Sequence, residues 1–229
     1  MKSTILITAA IFSAGLLLQS CDNKNSTSVK TDTDTSMSKM EGMDNMDMKN
    51  MSDEMPASMT TMMASMGSMK MSGDFDLDFA NMMIPHHQSA IDMAQEYLPK
   101  AKDDKIKTMA QNIIAAQKKE IEELKTIVAN HKTTETKAHS GAGHEAGEHN
   151  ELMETMNKMM DEMKGIKMSG NADKDFVMMM IPHHESAVTM AEDEISHGKN
   201  LELKKMAQKI MEDQNKEIRE FQELLSKMN

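Results

Sequence analysis

Apolar residues recur at intervals of three and four along much of the chain, the period of an amphipathic helix. The clearest stretch runs from about Asp103 to Asn130, with positions 106, 109, 110, 113, 114, 121, 124 and 128 apolar and Gln117 in the same stripe. A second stretch repeats the pattern at 203, 206, 207, 210, 211, 218, 221 and 225, with Gln214 where the first has Gln117. Glu and Lys fill the outer faces at helical spacing. Each stretch is preceded by another helical segment, the first from about Asp76 to Tyr97 and ending before Pro99. Upstream, Met51, Met55, Met59, Met62, Met66 and Met69 share one helical face, and a further Met-rich helix spans Leu152 to Met163.

These segments belong to an internal duplication with an offset of 97 residues. Lys70-Met71-Ser72-Gly73 returns as Lys167-Met168-Ser169-Gly170, and Met82-Met83-Ile84-Pro85-His86-His87 as Met179-Met180-Ile181-Pro182-His183-His184. Phe79 matches Phe176, Ala90 matches Ala187, Met93-Ala94 matches Met190-Ala191, and Lys119-Glu120-Ile121 matches Lys216-Glu217-Ile218, without a gap. Two helical hairpins, each with one apolar stripe, bury those stripes best against one another. The pattern therefore predicts an all-α four-helix bundle with Met-rich flanking helices.

Composition agrees. Aromatic residues are 3% of the chain, with no Trp and a single Tyr, which disfavours a sheet protein. The net charge of −11 argues against nucleic acid as a partner, since phosphate binding needs a basic surface. The outlier is methionine, 31 residues in 229, where cores normally use Met sparingly.

The expected organisation follows the chain in order. Residues 1–20 read as an export signal, with Lys2 before an apolar run from Ile5 to Leu18 that is too short to span a membrane. Leu18-Gln19-Ser20-Cys21 resembles a bacterial lipobox, making Cys21, the only cysteine, the lipidation site and membrane anchor. The other reading is an ordinary signal with an incidental Cys. Residues 21–54 form a polar, Met-bearing tether, residues 55–130 the first repeat and residues 151–229 the second. Between them, residues 131–150 read as a linker carrying His131, His139, His144 and His149, which either holds metal or is simply solvated.

The chemistry centres on the duplicated Met/His block. Met82 and His86 are four apart, as are Met83 and His87, so each pair shares a helical face, and Met93 lies seven beyond His86 with small Ala90 between. Adjacent histidines point about 100° apart on an ideal helix, so the two do not grip one ion from the same side. Pro85 removes a helical N–H, and the backbone there is expected to depart from a plain helix. Thioether sulfur with imidazole is the ligand set that suits copper(I), and silver(I) by the same softness. Thioethers also survive an oxidising compartment where thiols form disulfides. Candidate ligands are His86, His87, His183, His184, Met82, Met83, Met93, Met179, Met180 and Met190. Which histidine of each pair binds stays open.

Catalysis has little support. Glu194-Ile195-Ser196-His197 is the sole Glu-x-x-His of the kind di-iron bundles use, it is not duplicated, and no nucleophile or phosphate-loop signature is present.

The residues Asp78-Phe79, Met82-Met83-Ile84, His86-His87, Ala90 and Met93-Ala94, with their counterparts, resemble a family of secreted bacterial domains of unknown function. The likeness covers about residues 70–228. It implies a ferritin-like bundle of two repeats, and a copper link, since some members are methionine-rich periplasmic copper-resistance proteins. It does not imply ferroxidase activity, because the di-iron carboxylates are missing. The expected role is a periplasmic or envelope protein that sequesters copper(I) or passes it to an efflux or chaperone protein. The alternatives are a metal-free helical interaction module, with Met as an adaptable face, and a cuprous-ion oxidase.

Overall fold

A computed structural model describes residues 56–131 and 145–228 of the chain. Six α-helices follow one another: α1 (Ala57–Gly67), α2 (Phe75–Tyr97), α3 (Asp104–Asn130), α4 (Glu145–Gly165), α5 (Ala172–His197) and α6 (Leu201–Ser226). Among the described residues there is no strand, and no helix is long and apolar enough to cross a membrane. Helices α2 and α3 form one hairpin and α5 and α6 the other. They meet chiefly through α2 against α5, while α1 lies on α2 and α4 lies on α5. This is the predicted four-helix bundle with two Met-rich flanking helices.

Local chemistry explains the boundaries. The side chains of Asp74, Asp103, Asn171 and Asn200 each accept hydrogen bonds from backbone N–H groups of the first turn of α2, α3, α5 and α6. The Lys-Met-Ser-Gly repeats are the turns ahead of the two inner helices. Gly73 and Gly170 have φ of 81° and 78°, a region that favours glycine. Asp78 accepts from the N–H groups of Ser72 (2.7 Å) and Gly73 (3.2 Å), and Asp175 does the same for Ser169 and Gly170.

Helices α3 and α6 bury one stripe each, including Ile106, Ile113 and Leu124 on the first and Leu203, Ile210 and Phe221 on the second. Helices α2 and α5 are buried on several sides because three neighbours pack on each, which places their polar histidines in the middle of the core. Two cross-hairpin clasps close the bundle. Asp173 of α5 accepts from the N–H groups of Lys102 and Asp103 ahead of α3 and from the Tyr97 hydroxyl at 2.6 Å. Asp76 of α2 accepts from Lys199 and Asn200 ahead of α6 at 2.8 and 2.9 Å.

Two local expectations change. Helices α2 and α5 run without interruption through Pro85 and Pro182. Packing on several sides holds the helix where an isolated one would kink, and exposed Asn81, whose carbonyl loses its usual partner, lies on the solvent side. Helix α4 already includes Glu145, inside the segment read as linker and upstream of Leu152, and Glu and Ala favour a helix there despite Gly147. The tether, Cys21, His139 and His144 lie outside the described residues.

Candidate metal centre

The four paired histidines lie at the heart of the bundle, each 0% exposed. Helices α2 and α5 cross so that the His86 and His183 rings face each other with centroids 3.9 Å apart. His87 and His184 lie to either side, their centroids 6.3 and 6.2 Å from those two rings. The roughly 100° between adjacent helical positions turns each outer histidine away from the central pair and toward α3 or α6.

Three of the rings have a hydrogen-bonded partner, and the fourth, His87, lies beside a carboxylate. His86 Nε2 lies 2.8 Å from Ser186 Oγ, and His183 Nε2 lies 2.7 Å from Ser89 Oγ, so the two helices exchange equivalent bonds. Both serines also donate to a carbonyl of their own helix at 2.7 Å, Ser89 to His86 and Ser186 to His183, and each has a sulfur at 3.0 Å, Met62 or Met159. A hydroxyl has one hydrogen. Given to the carbonyl, it leaves Oγ to accept, so each imidazole is assigned as the Nε2–H tautomer. On the flanks, His184 Nε2 donates to Glu217 Oε2 at 2.8 Å, and His87 Nε2 lies 3.0 Å from Glu120 Oε2.

The remaining ring nitrogen is then the telling atom. Nδ1 of His86, His87, His183 and His184 is buried in every case and has no hydrogen-bond partner. Burial foremost, and then the proximity of the other histidines, holds His86 and His183 well below the ordinary histidine pKa. They remain neutral with a free lone pair. A neutral imidazole whose other nitrogen donates to a carboxylate or hydroxyl is the form in which histidine binds metal. Unsatisfied buried nitrogens otherwise call for an explanation, and here the Nδ1 atoms of all four histidines, with His87 Nε2, are unsatisfied. The donor set fits a soft ion.

All six nominated methionines are buried: Met82, Met83, Met93, Met179, Met180 and Met190. Met93 and Met179 also line a pocket of about 290 Å³ that opens beside Tyr97, Phe176 and the exposed Met168. The sulfurs in contact with the polar centre through the serines belong to Met62 and Met159, which the sequence reading had not nominated. It also missed Ser89, Ser186, Glu120 and Glu217 as parts of the site. The signal was available, since each of these residues recurs at the same offset of 97, and the duplication extends upstream through Met59/Met156, Met62/Met159, Met63/Met160 and Met66/Met163.

A second group, Asp74, Asp76 and His131, has ligand atoms all within 4.8 Å of one another. Its hydrogen bonds identify it as a structural joint. His131 Nδ1 accepts from the Asn200 amide at 3.0 Å, whose oxygen is fixed by capping α6, so Nε2 carries the hydrogen and donates to Asp74 at 3.0 Å. No imidazole lone pair is left for an ion. Glu194 lies beside Asp76, at the position matching Tyr97 in the other half. Burial first, and then the Asp76 carboxylate, pushes its pKa up to about 9. His197 turns elsewhere, 3.3 Å from Glu151 and beside the Phe75 ring, so the Glu-x-x-His motif does not converge on one site.

Fold and site together define a tandemly duplicated helical bundle with a histidine and methionine core. The chain belongs to the family described as Domain of unknown function (DUF305), whose pattern matches residues 15–127 and 76–225. Among solved structures, CopM in its Cu(II)-bound form is 32% identical, with a TM-score of 0.51, covering 67% of this chain and 97% of that one. A DUF305 protein from Streptomyces coelicolor is 21% identical with a TM-score of 0.52, covering 69% and 95%, a likeness of fold alone. An uncharacterised protein of Acanthamoeba polyphaga mimivirus is 42% identical over 53 residues, 23% of this chain. The chain spans about a third, 35%, of that relative's length.

Proposed function

We propose that this protein binds copper, as copper(I), at the duplicated histidine and methionine centre, and that it sequesters the ion or hands it on in copper homeostasis. The observation that carries the reading is the set of four buried, unpartnered Nδ1 atoms in a core walled by methionine. Soft thioether and imidazole donors favour the cuprous state over harder divalent ions, and silver(I) would compete by the same chemistry. Similarity to CopM, solved with copper bound, supports the metal. Among the described residues Met168, at 42%, is the one exposed methionine, so the helices of the bundle offer the interaction-module alternative few surface thioethers.

The signal-like residues 1–20 and the lipobox-like Cys21 support a reading in which this activity belongs to the cell envelope, with a lipid anchor at Cys21 and an efflux or chaperone protein as recipient of the ion. No step of the proposed role requires catalysis.

The test is a cuprous titration of the full-length chain against a chromophoric chelator. Stoichiometric uptake is expected. Exchange of the six nominated methionines for Leu, which keeps the core filled, should lower affinity with the helical spectrum unchanged. Changing His86, His87, His183 and His184 to Ala should abolish tight uptake. Binding no tighter than that of a Met-free helical control protein overturns the reading.

A further inference from the structure

The duplication is nearly faithful at the centre, and one of its charged departures, Lys209 in place of Asn112, touches a carboxylate that faces a histidine. Glu120 and Glu217 are equivalent residues, and each faces the outer histidine of its own hairpin. Lys209 Nζ reaches across from α6 and lies 2.6 Å from Glu120 Oε1, while also pairing with Asp213 at 3.0 Å. The matching residues in the first repeat are Asn112 and Ala116. Among the described residues, Glu217 meets no lysine or arginine.

The geometry of the two halves differs accordingly. His184 makes an aligned hydrogen bond to Glu217 at 2.8 Å. His87 Nε2 lies 3.0 Å from Glu120 Oε2 in a longer and less well aligned contact. Glu217 is more exposed than Glu120, 24% against 4%, so water screens it more. That screening is weaker than a full ammonium held directly on the carboxylate. A carboxylate behind a ligating histidine fixes its tautomer and raises its basicity, and losing such a partner costs roughly ten- to a hundredfold in metal affinity. An ammonium on that carboxylate cancels part of its charge and places a positive group near the incoming cation.

We propose that Lys209 makes the two halves of the duplicated centre unequal, so that a cuprous ion is taken first at the His184 half and second, more weakly, at the His87 half. Glu217 and Glu120 are then positioning residues, one fully effective and one divided. The inference rests on the copper reading above and adds to it an order of loading. A tight half retains one ion while a looser half exchanges the other, which suits a protein that both stores and passes on its cargo.

The test follows individual imidazoles in the full-length chain by long-range proton–nitrogen spectra during anaerobic Cu(I) titration, with rings assigned from His87→Ala and His184→Ala. The His184 nitrogens should shift during the first equivalent and those of His87 only later. Lys209→Gln should tighten the weaker class by about tenfold and bring the two rings together, while Glu217→Gln should weaken the tighter class by about tenfold. Lys209 is half-exposed, so its replacement leaves the core intact. The ordering is overturned if both rings shift together in the wild type, if His87 shifts first, or if Lys209→Gln leaves the separation unchanged. Absence of any copper uptake overturns the copper reading and the ordering with it, and the two failures are distinguishable because the first leaves uptake intact.

Discussion

Glu194 offers a sharp test of how the bundle is closed. Its counterpart Tyr97 donates a hydroxyl hydrogen to Asp173 at any ordinary pH. Glu194 can act likewise toward Asp76 only while it holds a proton. Neither of its oxygens meets a donor, and Gly198 packs so closely that a side chain there would collide with the carboxyl. Burial and then Asp76 raise its pKa from 4.5 to about 9; Lys204 opposes the rise and Asp74 adds to it. The folded value lies above the unfolded one, so the proton's contribution to stability is complete below about 4.5 and is lost as pH climbs toward about 9. Keeping that proton at pH 7 on a group whose unfolded value is 4.5 costs about 3 kcal/mol. An amide carries its N–H at every pH. Glu194→Gln should therefore stabilise the fold at pH 7 by about 1–3 kcal/mol and change little at the acid end. The assay is urea unfolding of chelator-treated protein across this pH range. Parallel stability profiles for wild type and variant, or a destabilised variant at pH 7, would refute the reasoning.

Three further predictions use the same assay. Tyr97→Phe keeps the ring stacked on Phe176 at 4.3 Å but removes the bond to Asp173, for an expected loss of about 1–2 kcal/mol; an unchanged unfolding midpoint contradicts the clasp. Ser186→Ala strands the His86 Nε2–H in the core and should cost about 1–3 kcal/mol, with Ser89→Ala doing the same for His183. Gln117 and Gln214 are buried at 2% exposure with neither side-chain polar atom bonded, so Gln117→Leu and Gln214→Leu should be neutral or stabilising by about 1 kcal/mol. A clear loss in either would reveal a polar partner for the amide.

Much of this molecule could be read along the chain. The three-and-four spacing of apolar residues and the offset of 97 residues define two hairpins, because side-chain direction on a helix follows from position alone. The Met/His block was visible for the same reason, and so was the divergence of adjacent histidines. Less was legible where partners come from distant sequence. Ser89 and Ser186 look like ordinary small helical residues until α2 and α5 cross, when each meets a histidine 94 or 100 residues away. Pro85 reads as a departure from a plain helix, but α2, like α5 through Pro182, runs whole where neighbours pack on several sides.

By itself the sequence determined the elements, their duplication and the soft character of the candidate ligands, all local or repetitive properties. Tertiary structure alone decided which ring nitrogens are engaged and which are free, because a tautomer is set by the group facing it. It also separated the histidines of the core from His131, whose Nδ1 is taken by Asn200, and placed Lys209 on one carboxylate of a duplicated pair. Those are facts about which helices touch. A period of 3.6 residues fixes the face a side chain occupies but leaves unstated which neighbour covers it.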